Sequence, residues 1–168
     1  MSRAEVSRQR AERAPGVWFG VDVGSVRVGV ARSDPRGVLA VPVATLRRDQ
    51  RLGADLDELS ALLSEHEAVG VVIGLPQTLA GRAGPAVREA QDYGQALAAR
   101  IAPRPVVYVD ERLTTVLAQR NLNSSGVRGR AKRSVVDQAA AVEILQSFLD
   151  GSTSSTLDSG NRPAAPPE

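Results

Sequence analysis

The stretch "WFGVDVGSVRVGVARSD", from Trp18 to Asp34, decides how the chain is read. Phe19, Val21 and Val23 belong to a β-strand buried in a core, yet Asp22 stands among them. A lone carboxylate in such a strand is costly to bury unless a cation or a donor meets it. Gly24 and Ser25 end the first run, Val17–Val23, and Val28–Ser33 starts a second, so the two read as a hairpin. The turn "DPRG" leads on to a third strand, Val38–Thr45.

Further along, Leu52, Leu56, Leu59, Leu62 and Leu63 recur at helical spacing within Arg51–Glu65. "AVGVVIG", 68–74, is a short apolar run that fits a strand buried on both faces. After the loop "LPQTLAGRAGP", Pro85 is placed to open a helix reaching Ile101. "PVVYV", 105–109, is the fifth strand, followed by a short helix from Thr114, the loop "NSSGVRGRAKR" and a last helix, Ser134 to Leu149. A hairpin trio followed by alternating strands and helices predicts an α/β fold, a mixed five-stranded sheet flanked by helices in a single domain. That domain spans 16–150. Residues 1–15 read as a flexible Arg-rich arm and 151–168 as a disordered tail rich in Ser, Gly and Pro.

The 168 residues are 42% hydrophobic but only 3% aromatic, so the core must be built from Val, Leu, Ile and Ala. No cysteine is present, which excludes disulfides and thiolate metal sites and fits a reducing cytoplasm. No apolar run approaches the ~20 residues that span a bilayer. Net charge is +2, yet the pI is near 9.6, because Lys132 is the only lysine and arginine holds its charge at any practical pH. The cations cluster at Arg3, Arg8, Arg10 and Arg13, at Arg47, Arg48 and Arg51, and at Arg128, Arg130, Lys132 and Arg133. Such clusters suit either solvated loops or a nucleic-acid backbone.

In open α/β sheets the functional crevice lies at the carboxyl ends of the strands. Asp22 falls near the end of the first strand, and Asp110–Glu111 directly after the fifth. On the last helix, Asp137 shares a stripe with Ala141, Ile144 and Phe148, while Glu143, Gln146 and Asp150 lie opposite. Ser134 and Asp137 also have the spacing of a capping box. Three elements thus direct acids toward the sheet, a donor set suited to Mg²⁺ or Mn²⁺. Gly74, Gly81 and Gly84 are either turn glycines or a loop that lets backbone approach a phosphate, which Arg82 and Arg112 would also reach. The single histidine, His66, reads as a surface residue, which leaves neither a Ser–His–acid triad nor a histidine zinc site.

"DVGSVRVGVARSD", "VIGLPQTLAGRAG", "VDERLTT" and "KRSVVDQAAAVEILQSFL", in this order, resemble the YqgF/RuvX-type family over about residues 16–149. Its members are named as pre-16S rRNA nucleases and are related to RuvC-type Holliday-junction resolvases. The resemblance implies a ribonuclease H-like fold and three catalytic, metal-binding acids: Asp22, Glu111 and Asp137, with Asp110 as the alternative ligand. It implies two Mg²⁺ or Mn²⁺ ions bridged by Asp22, and substrate contacts from Gly24, Ser25, Gly74, Leu75, Pro76 and Arg112. Arg128, Arg130, Lys132 and Arg133 are candidates for backbone contact. Val26 departs from the family's Thr-Lys-Arg-like turn and removes one cation.

The expectation is a cytoplasmic, metal-dependent endonuclease processing the 5′ end of a 16S rRNA precursor. Four-way DNA junctions are the alternative substrate, and resolving them would favour a homodimer. A non-catalytic RNA-binding scaffold is the rival of another class. "DVGSVRVGV" also resembles the phosphate loop of actin-like ATPases and sugar kinases, but those need a second domain that this chain has no room for.

Overall fold

In the computed structural model, residues 13–76, 84–110 and 130–151 are described, 130–132 by their backbone alone. The strands are β1 (Trp18–Val23), β2 (Arg27–Ser33), β3 (Ala40–Arg47), β4 (Gly70–Leu75) and β5 (Val106–Asp110). The helices are α1 (Ala54–Glu65), α2 (Pro85–Ile101) and α3 (Arg130–Asp150). The sheet order is β3-β2-β1-β4-β5, antiparallel across β3, β2 and β1 and parallel from β1 through β4 to β5. The mixed sheet is the one expected. The carboxyl ends of β1, β3, β4 and β5 therefore share one edge with the start of β2.

Alternation along the strands separates two cores. Phe19, Val21, Val28, Val30, Val71, Ile73 and Leu75 pack under α1 and α2. Trp18, Ala31, Val72 and Val109 pack under α3 through Ala141, Ile144, Leu145 and Leu149. Both faces are covered, which is why the central strands read as nearly continuous apolar runs.

Several boundaries differ from the sequence expectation, two of them because a carboxylate holds backbone amides. Asp34 Oδ1 accepts from the amides of Val38 and Leu39, each at 2.8 Å, so these residues stay exposed in the turn and β3 begins at Ala40. Asp49 likewise accepts from Arg51, Leu52 and Ala54, and Gly53 is left-handed at φ 71°. Leu52 is consequently exposed outside α1, not on its apolar stripe. The last helix begins at Arg130, since nothing in Arg130–Arg133 opposes helix, and Ser134 is interior and forms no capping box.

Two side chains also correct the reading. His66 is half-buried, its ring 5.7 Å from Phe19, as a packing residue at the end of α1. Gln146 binds the β2–β3 turn, accepting from Ala40 N–H and donating to the Val38 carbonyl, both at 2.9 Å. Arg13 is seated as well. Its guanidinium donates to the carbonyls of Phe148, Leu149 and Gly37 and lies 5.4 Å from the Phe148 ring centroid.

Candidate active site

Asp22 occupies the penultimate position of β1 and is only 6% exposed. Its partner across the ladder is Gly29, and directly opposed residues in an antiparallel pair project to the same face. That face belongs to α3, because a Cβ at Gly29 would overlap the Asp137 carbonyl. At Gly20, two residues earlier, a Cβ would lie 2.8 Å from the Ala141 carbonyl. These side-chain-free positions let α3 press onto the sheet at the level of Asp22. The fold thus brings Asp22 and Asp137 together.

Arg27 supplies positive charge on this face. Its Nε donates to Asp137 Oδ2 at 2.9 Å, with both side chains partly exposed. It lies two residues from Gly29, diagonal to Asp22 across the β1–β2 ladder.

Asp110 ends β5 and is 8% exposed, in register with Leu75. Tyr108 and Leu75 pack toward α1 and α2, so alternation puts Asp110 on that side, across the sheet from Asp22. Among the described residues, no three carboxylate or histidine groups could hold a metal. Glu111, Arg112 and Arg128 lie outside the described residues, as do the side chains of Arg130 and Lys132. Arg133 is exposed on α3, and Ser25 is exposed in the β1–β2 turn beside Gly24. Gly74 is paired with Val109 inside the sheet, Leu75 is core at 2% exposure, and Pro76 follows it half-buried. The Leu75 side chain supports the strand end from within the core.

Sequence reasoning passed over the arginines that frame this edge. Arg48 Nη1 donates to the Gly24 carbonyl at 2.9 Å and to Glu89 at 3.0 Å. Its Nε lies 3.6 Å from the buried Asp55, and its guanidinium 5.1 Å from the Tyr93 ring centroid. The β1–β2 turn is thereby clamped to α1 and α2. Burial, and then the negative Asp55, raise the Tyr93 hydroxyl above its ordinary range, so it stays neutral. The hydroxyl faces that carboxylate without a well-aligned hydrogen bond. A cleft of about 800 Å³ opens there, between the β3–α1 connection and α2, but neither Asp22 nor Asp137 lines it. The signal for Arg48 was its neighbour Asp55, an acid where the helical pattern turns inward.

A family profile described as RuvX, Holliday junction resolvase, matches residues 16–151. The chain belongs to the RuvX family. RuvX relatives carry the name "Putative pre-16S rRNA nuclease". The one from Frankia casuarinae is 57% identical over 155 residues, covering 90% of this chain and 77% of that protein. The one from Mycobacterium sp. (strain KMS) is 60% identical over 135 residues, covering 80% of each. Among solved structures, Thermus thermophilus RuvC in complex with a Holliday junction substrate aligns with a TM-score of 0.53 at 13% identity. That alignment covers 79% of this chain and 93% of RuvC, and it establishes the shared ribonuclease H-like fold.

Proposed function

We propose that this RuvX protein is a divalent-metal-dependent nuclease hydrolysing phosphodiester bonds in structured nucleic acid, with a 16S rRNA precursor as substrate. The observation that carries the reading is the Gly29 contact, which brings Asp137 of α3 to the face and edge that hold Asp22. RuvX membership, and relatives whose names denote a pre-16S rRNA nuclease, support the substrate class.

The donor chemistry fits Mg²⁺ or Mn²⁺. Asp22 and Asp137 offer hard carboxylate oxygens on one face, and the chain has no cysteine to add a soft donor. Glu111 is the third acid of the proposed set, since alternation carries Asp110 to the other face. Bound there, the ions would activate water and stabilise the leaving oxygen. The protein's own part is to hold the acids. β1 fixes Asp22 through its ladder, α3 fixes Asp137 through Gly29, and Arg27 keeps the Asp137 carboxylate turned to the sheet edge. The exposed Ser25 turn, fastened by Arg48, is then in place to meet the substrate phosphate. A 16S rRNA precursor as substrate would place the protein in the cytoplasm, where the relatives' named substrate is made.

The test is cleavage, with Mn²⁺, of a labelled rRNA-precursor fragment and of a mobile four-way junction. The expected result is cleavage of the precursor, falling at least about a hundredfold in Asp22→Asn, in line with the loss of a group central to catalysis. Cleavage of the junction alone would transfer the assignment to DNA recombination. Salt-sensitive binding without any cleavage would make the protein a scaffold.

A further inference from the structure

On the α3 side of the sheet edge, Val26, Arg27, Thr45, Arg47 and Ser134 line a cleft of about 290 Å³. Arg27 and Arg47 face each other directly across the β2–β3 ladder. Like charges in such a pair destabilise a sheet, so the arrangement calls for a compensating anion. Arg27 has one in Asp137. Arg47 is exposed and, among the described residues, has no ion pair and no side-chain hydrogen bond.

The floor of the cleft is already set. Thr45 Oγ1 donates to the Ser134 carbonyl at 2.9 Å and accepts from Gln138 Nε2 at 3.2 Å. That leaves the guanidiniums as the groups free to bind, with the exposed Arg133 beside Ser134 adding a third. Among the described residues no aromatic side chain lines the cleft, so these residues offer no stacking platform for a base. Its chemistry selects phosphate, bound by fork-shaped charged donors. Through Arg27, the same cleft abuts Asp137.

We propose that this cleft is the track for the phosphodiester backbone of the strand being cut, with Arg47 as its free phosphate-binding residue and Arg27 shared between phosphate and Asp137. The proposal rests on the nuclease reading and extends it to residues outside the three acids and the arginine loop. Contacts of this kind position the substrate and are blind to base sequence.

The experiment measures binding of a fluorescent rRNA-precursor fragment, and of a four-way junction, against salt concentration. EDTA is present to prevent cleavage. Arg47→Ala should weaken binding roughly 3- to 10-fold and reduce the slope of log affinity against log salt by about 1. Arg47→Glu should weaken it further, and Arg47→Lys should restore most of it. Arg36→Ala, at the far turn of the same β2–β3 hairpin, is exposed and should bind as the unaltered protein does. Unchanged affinity and slope in Arg47→Ala and Arg47→Glu would overturn the track. The nuclease reading would stand in that case, provided Asp22→Asn still abolished cleavage. An unaltered protein that neither bound nor cut either substrate would overturn both.

Discussion

Arg48 lies within hydrogen-bond reach of the Gly24 carbonyl and Glu89 and 3.6 Å from Asp55, which is 2% exposed. Removing one member of a buried ion pair leaves the other charge stranded, at a typical cost of about 3–5 kcal/mol. Arg48→Ala should therefore lose stability on that scale in urea unfolding, with a lower midpoint at unchanged slope. Arg48→Lys should lose less, since an ammonium keeps the charge but not the fork that meets three acceptors. A loss in Arg48→Ala of under about 1 kcal/mol would mean that Asp55 is solvated in the folded state. From the sequence, Arg48 is one of three clustered arginines, and its one mark is Asp55, an acid on the inward side of the helix that follows. Asp22 was legible by contrast. A carboxylate within a valine-rich strand violates the pattern around it, and such violations mark sites that need a partner.

At the scale of elements, the site depends on how closely α3 sits on β1 and β2. Gly29 meets the α3 backbone at Asp137, and Gly20 meets it at Ala141 and Leu145. Gly29→Ala inserts a methyl where the Asp137 carbonyl already lies, so helix and sheet must part. Overpacking of this kind typically costs about 1–3 kcal/mol, and here it also shifts Asp137, one of the acids proposed for catalysis. The variant should keep its fold, by circular dichroism, and lose cleavage far beyond what its stability change explains. Near-normal cleavage would show that Asp137 does not need this contact. The periodicity of Asp137, Ala141 and Ile144 was readable in the sequence, whereas the contact was not, because a glycine in a strand does not say which backbone approaches it. Element boundaries failed for a related reason. Asp34 and Asp49 capture amides through side-chain bonds that leave no trace in hydrophobic spacing.

Over the whole molecule, those two aspartates stand at opposite ends of the sheet. Asp34 closes the β2–β3 turn at one end, and Asp49 the connection from β3 to α1 at the other, beside the site. Both have a pKa below the usual 3.8, Asp34 through the amides of Leu39 and Val38, Asp49 through those of Leu52 and Ala54. A carboxyl held lower in the folded state than in the unfolded chain binds fewer protons when folded. Its stabilising contribution is thus complete above pH 3.8 and is lost as pH falls through the depressed folded value. Thermal midpoints measured from pH 6 down to pH 2.5 should accordingly fall most steeply below about pH 4. The double variant Asp34→Asn, Asp49→Asn should start lower at pH 6 and lose less on acidification, so that the two curves converge in acid. Curves that stayed parallel would show that the two turns contribute nothing that depends on their charge.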